Sequence, residues 1–192
     1  MQLFQDLSRR IRSSCHVALA RYAEISFAQE GEDRVAMRLL NCPSRGMFVD
    51  VGAHHPFRFS NTYAFYLRGW RGLNIDATPG AMRKFRRWRP GDTNLECGIG
   101  NAPGEFEFYQ FAEPALNTFD PALAQTYREA GHAQVGKTSI RCRTLVDVLA
   151  EHLAGRVIDS LTGDVEGRDM EVLLSNNRLL HDRRLEREAL AY

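Results

Sequence analysis

The chain has 192 residues, enough for one full domain and short for two, since domains commonly run about 100–150 residues. Its 44% hydrophobic and 26% charged composition is that of an ordinary globular protein and excludes a disordered or fibrous chain. With 25 Lys plus Arg against 24 Asp plus Glu, the net charge of +1 provides no overall field to draw nucleic acid or anionic lipid. The cysteines, Cys15, Cys42, Cys97 and Cys142, form no CxxC pair, so reduced thiols are expected rather than a zinc site. No stretch approaches the ~20 apolar residues of a membrane span, and the basic N-terminal segment lacks the apolar run of a signal peptide. A cytoplasmic location is the resulting expectation.

Leu3, Phe4, Leu7 and Ile11, followed by Val17 and Leu19, recur at helical spacing and predict an amphipathic leader helix within residues 1–24. Val35, Ala36, Leu39 and Leu40 predict a second helix from Gln29 to Leu40, ended by Cys42-Pro43-Ser44. Met47 to Val51 is a nearly continuous apolar run closed by Gly52, the pattern of a strand buried on both faces. Ser60-Asn61-Thr62 is read as the cap of a short helix ending at Gly69, and Leu73 to Asp76 as a second strand. A helix through Met82, Phe85 and Trp88 follows Pro79. Its stretch from Met82 to Arg89 carries five basic residues, either a solvated face or an attraction for a phosphorylated acceptor. Thr93 to Ile99 reads as a third strand and Glu105 to Phe111 as a half-exposed one, while Pro114 to Lys137 is weakly patterned. Thr144 caps a helix through Leu153, Val157 to Asp164 is a fourth strand weakened by Gly163, and a helix begins near Met170.

Strands alternating with helices imply an α/β fold with a mostly parallel sheet, right-handed crossovers and ligands at the carboxyl ends of the strands. The first strand ends in Asp50-Val51-Gly52-Ala53-His54-His55-Pro56, where Gly52 lets a nucleoside approach the backbone. The second ends in Asp76, whose carboxylate can accept two hydrogen bonds from a ribose. Together they suggest an adenosine ligand. One glycine followed by two histidines lacks the GxGxxG that admits a pyrophosphate, which disfavours NAD and FAD. Gly131 to Thr138 matches the letters of a P-loop, but it follows a helix-like segment and leads into an extended one, the reverse of a P-loop's strand-to-helix setting.

Ser26 to Asp33, Phe48 to Pro56, Arg58 to Thr62, Arg68 to Gly72, Asn74 to Ala77 and Asp164 to Gly167, in register over about residues 25–177, resemble the FkbM family of methyltransferases. The resemblance implies a class I, Rossmann-like fold binding S-adenosylmethionine, with O-methylation of a hydroxyl on a sugar or natural product. It implies that Asp50, Gly52 and Ala53 line the methionine end of the cofactor. Asp76, with Ala77 beside it, holds the ribose, and Glu96, Cys97 and Gly98 border the adenine. Asp164 and Glu166 face the transferring methyl with His54 and His55 nearby, and Gln29, Glu30 and Asp33 cover or brace the pocket.

Methyl transfer to a hydroxyl calls for a base, either His54 or His55, which has the ordinary pKa for it, or the carboxylate of Asp164 or Glu166. Asp164 and Glu166 instead, together with the histidines, offer donors for a divalent cation, on which spacing is silent. Asn117-Thr118-Phe119 reads either as part of an acceptor loop or as a helix cap. The expected organisation is the leader helix over 1–24, a methyltransferase domain over 25–177, and a charged helical tail over 178–192 in place of the family's remaining strands. That tail makes association with a second copy an expectation. It also raises a second class of function, an inactive relative that binds cofactor or a partner chain.

Overall fold

The computed structural model describes residues 23–41, 43–153, 155–165 and 167–175. The expected leader helix apart from Ala23 and Glu24, the charged tail, and the candidate Glu166 lie outside them. Four strands, β1 (Met47–Val51), β2 (Arg71–Asp76), β3 (Thr93–Glu96) and β7 (Ser160–Gly163), form a parallel sheet in the order β3-β2-β1-β7. From β1 the chain moves outward to β2 and β3, then returns to the other side of β1 as β7. The direction of winding therefore reverses between β1 and β7, and ligands of open α/β sheets bind outside the strand ends at such a point.

Every residue of β1 is buried, as its apolar run predicts for a central parallel strand. The two-residue period sends Met47, Val49 and Val51 to one face, where they meet Leu73, Ile75 and helix α5 (Leu145–Leu153) with Val172 of α6 (Asp169–Leu174). It sends Phe48 to the other, beside Met37 of α1 (Glu32–Leu39), Phe65 of α2 (Tyr63–Leu67) and the fully buried Trp70. Asp50 shares that second face and is 5% exposed. On α1 the buried residues are Asp33 and Met37, one turn apart; the expected Ala36 and Leu40 are half-buried against the same cluster, while Val35 and Leu39 stay over 40% exposed. The expected apolar face is thus met in part, with Met37 beside Trp70 and Asp33 accepting hydrogen bonds from Ser26 Oγ (2.6 Å) and Phe27 N (2.9 Å).

The expected third strand divides at Cys97. Up to Glu96 it pairs with β2, and from there β4 (Gly98–Ile99) joins a second sheet, ordered β4-β6-β5, with β5 (Gly104–Phe111) and β6 (Gln134–Arg143). Gly98 suits the junction because a Cβ there would collide with Cys142 Sγ and come within 2.7 Å of the Phe119 ring. Between β5 and β6 lie a 3₁₀ turn (Pro114–Leu116) and α4 (Pro121–Glu129), whose cap, Asp120, accepts hydrogen bonds from Ala122 N and Leu123 N. The P-loop-like letters fall on the turn after α4 and inside β6. There Lys137 pairs with Glu107 Oε1 (2.6 Å) and spans no phosphate-binding turn.

Two further expectations gain physical detail. Within Ser60-Asn61-Thr62 the hydroxyl that accepts an amide of α2 is Ser60 Oγ, from Tyr63 N (3.1 Å). The five basic residues near α3 (Met82–Trp88) do not share one face. Arg83, Lys84, Arg86 and Arg87 are exposed, whereas Arg89 is 0% exposed and bonds Asp92 (2.8 Å). At α5 the cap forms as expected: Thr144 Oγ1 accepts from Asp147 N (3.2 Å) and donates to its carboxylate (2.6 Å). Thr144→Ala should therefore cost about 1 kcal/mol, seen as a melting temperature lower by about 2–4 °C, and an unchanged melting curve would contradict the cap.

Candidate active site

A cleft with about 1070 Å³ of empty space, part of it open to solvent, lies at the carboxyl ends of β1, β2 and β7. Asp50, Gly52, Ala53 and His54 enter it from β1, Asp76 and Ala77 from β2, Cys97 and Gly98 from the β3–β4 junction, and Asp164 from β7. Gln29 reaches it from the segment before α1. Of the sequence-derived candidates, Glu30, Asp33 and His55 do not line it. Glu30 is exposed, and its amide donates to Glu32 Oε2 (2.8 Å). Asp33 is fully buried and braces residues 26–27, which are tethered in turn by Ser60 N donating to Phe27 O (2.9 Å). His55 Nδ1 accepts from Arg58 N (3.2 Å) and holds its own turn, and its pKa is pushed down to about 4, chiefly by burial and then by Lys84, His54 and Arg58.

Gly52, at φ +82°, marks a close approach whose partner is protein backbone. A Cβ there would collide with the carbonyl of Asp164, and Asp164 N donates to Val51 O (2.9 Å). The tips of β1 and β7 therefore touch at the switch point. Gly163, beside it, would have open space around a Cβ, so no contact demands glycine there. Asp76 is held by two backbone amides, His54 N to Oδ2 (2.7 Å) and Thr78 N to Oδ1 (2.7 Å). These fix the carboxylate while leaving each oxygen a further lone pair.

His54 sits at φ +53°, a conformation that costs energy in a residue with a Cβ and is held here by the Asp76 bond. Its ring stacks over Phe59 at 6.3 Å, and its buried Nε2 has no hydrogen-bond partner among the described residues. Burial lowers its pKa, with Arg58 and Lys84 acting in the same sense and Asp76 and Glu113 opposing, so the ring is neutral at pH 7. Asp164, surface-accessible at the cleft mouth, has its carboxyl raised by the protein packed around it and by Asp169 and Glu32. Burial pushes Asp50 up to about 6, against the hydrogen bond from Thr62 and the charge of Arg89. Among the described residues no group of three His, Cys, Asp or Glu side chains is placed to hold a metal ion.

The remaining wall includes Asn117 and Phe119, from the segment expected to be either part of an acceptor loop or a helix cap. Phe108, Phe119 and Asn117 bring the second sheet over the cleft, and Asn61 and Arg168 close the side near Asp164. Asn117 caps the end of the 3₁₀ turn and not the start of α4; its Nδ2 donates to Thr78 Oγ1 (3.1 Å) and its Oδ1 accepts from Phe111 N (2.8 Å), tying the insert to the end of β2. The signal for the helix start is Asp120-Pro121, three residues on.

A parallel sheet ordered β3-β2-β1-β7, helices on both faces, and acids at the tips of neighbouring central strands define a Rossmann-like methyltransferase domain. The family model of the methyltransferase FkbM domain matches residues 50–186, and the chain belongs to that family. The match begins at Asp50, after the Gln29–Asp33 motif, and runs past Asn177. No curated protein and no solved structure matches the chain. Methyltransferases of this kind in general use a cofactor of the S-adenosylmethionine type. No helix among the described residues is long and apolar enough to cross a membrane.

Proposed function

We propose that the protein is an S-adenosylmethionine-dependent O-methyltransferase acting on a hydroxyl of a sugar or natural product. The observation that carries this reading is the convergence of Asp50, Asp76 and His54 on one cleft at the switch point of the sheet. The donor set suits the cofactor. Asp76 offers lone pairs to ribose hydroxyls, Asp50 offers an anion to the cationic methionine end, and Phe108, Phe119, Cys97 and Gly98 form a largely apolar wall for a flat base. When bound, the cofactor supplies an electrophilic methyl group on a sulfonium. The chain contributes position and a base. His54, neutral and with Nε2 free of protein partners among the described residues, takes the proton of the acceptor hydroxyl, and Asp164 at the mouth steadies the resulting imidazolium.

Calorimetry with S-adenosylhomocysteine and transfer of labelled methyl to a panel of hydroxylated acceptors test the reading. Heat and turnover are expected. Heat without turnover on any acceptor would favour the non-catalytic relative, and ATP heat in place of both would overturn the assignment. Asp76→Asn should weaken S-adenosylhomocysteine by about 30-fold, the loss of one hydrogen bond to a charged group worth about 2 kcal/mol. An unchanged dissociation constant would remove Asp76 from the site.

A further inference from the structure

Arg89 is fully buried at the end of α3, away from the cleft, yet it connects to it through one hydroxyl. Its Nη1 donates to Thr62 Oγ1 (3.0 Å), and Thr62 Oγ1 donates to Asp50 Oδ2 (2.6 Å). We propose that Thr62, oriented by Arg89, is a positioning residue that fixes the Asp50 carboxylate with Oδ1 turned to the cationic end of the ligand. The inference rests on the cofactor reading above, and extends it to residues that do not line the cleft.

The direction of the relay follows from donor chemistry. A guanidinium has five N–H donors and no acceptor, so the Thr62 oxygen facing Arg89 must accept. The single hydroxyl proton then goes to Asp50. Threonine alone would be free to rotate, but with Arg89 in place its hydroxyl has one role. Arg89 is itself immobilised: Nε donates to Asp92 Oδ2 (2.8 Å), and the Phe48, Tyr66 and Phe85 rings surround its guanidinium at 5.0–5.5 Å. Asp92 is anchored by Gly72 N (3.0 Å) and Asn74 Nδ2 (3.2 Å) at β2. The charged groups acting on Asp50 are Arg89 from α3, Asp76 from β2 and Asp164 from the end of β7. Both carboxylates oppose ionisation of Asp50, while Thr62 and Arg89 favour it. Among the described residues Oδ2 takes the Thr62 bond, which leaves Oδ1 for a ligand.

Arg89→Met would strand Asp92 as a buried, unpaired charge and risk unfolding, so Thr62 is the place to cut the relay. Thr62→Val keeps the shape and deletes the hydroxyl, and Thr62→Ser restores the hydroxyl. The Asp50 carboxyl is titrated by carbon-13 NMR in the ligand-free protein, and S-adenosylhomocysteine affinity is measured by calorimetry from pH 5.5 to 8.5. In Thr62→Val the Asp50 midpoint should rise by about one pH unit from about 6, so the smaller ionised fraction should lower affinity about twofold at pH 7 and about eightfold at pH 5.5. Part of the affinity should return at pH 8.5, and Thr62→Ser should behave as wild type. In an Arg89→Lys background, Thr62→Val should add little, as members of one network do not add. An unmoved Asp50 midpoint in Thr62→Val overturns the relay whatever the ligand. A moved midpoint with unchanged affinity overturns the orienting role. Wild-type protein that gives no heat with S-adenosylhomocysteine overturns the cofactor reading instead, and the titration still decides the relay.

Discussion

Replacing His54 by asparagine is expected to lower kcat about 10²–10³-fold, the range of a lost general base, while leaving S-adenosylhomocysteine affinity nearly unchanged. Asparagine is the choice because it tolerates the left-handed backbone conformation at φ +53° better than most residues, so the loop and its bond to Asp76 survive. The prediction rests on a neutral, buried Nε2 that no described residue engages. The sign of the pH dependence follows from the same burial. A base must be unprotonated, and burial lowers the pKa below the ordinary 6.5, so wild-type kcat/KM rises with pH through a midpoint under that value and then levels. In His54→Asn that limb disappears. Asp164→Asn is the control: if the limb vanishes there and persists in His54→Asn, the carboxylate is the base and the assignment fails.

Gly52→Ala is expected to destabilise the fold by about 3 kcal/mol or more, lowering the melting temperature by roughly 6–12 °C. Two costs add. The residue is at φ +82°, where a Cβ is strained, and that Cβ would collide with the Asp164 carbonyl. Asp164 cannot retreat freely, because its amide is bonded to Val51 O and the preceding residues pair with β1 in register. Relief would come by prising β7 off β1, which opens the cleft at the switch point, so cofactor affinity should fall with stability. A melting temperature within a degree or two of wild type would show that the two strand tips do not meet as described.

What the chain discloses about itself depends on where side chains point. β1 is readable to the residue because a central parallel strand demands apolar groups on both faces, and Met47 to Val51 supplies them apart from Asp50. The end of β2 and the α5 cap are readable for equally local reasons. β6 is not. Its half-buried positions include Gln134, Gly136 and Thr138 while Val135 is 66% exposed, so the alternation that exists in burial is absent from hydropathy. With its first half obscured, so is the β5–β6 pairing that brings Phe108 to the cleft. Arg89 is hidden differently: a string of basic residues reads as one solvated surface, and only Asp92, three residues on, hints that its last member is paired inside. His54 and His55 are equivalent on paper. The structure separates them, because Asp76 turns one into the cleft and the other folds back onto its own turn.

The central strand also sets a condition on how the molecule is made. Met47 N is bonded to Asp159 Oδ2, 112 residues downstream, and the side of β1 that receives β7 has no earlier occupant among the described strands. On the ribosome that ribbon edge stays bare for about 6–22 s at ordinary elongation rates of about 5–20 residues per second. Anything that stalls translation in that window prolongs exposure of an apolar template to other nascent chains, so chaperone demand falls on the interval before Ser160 emerges.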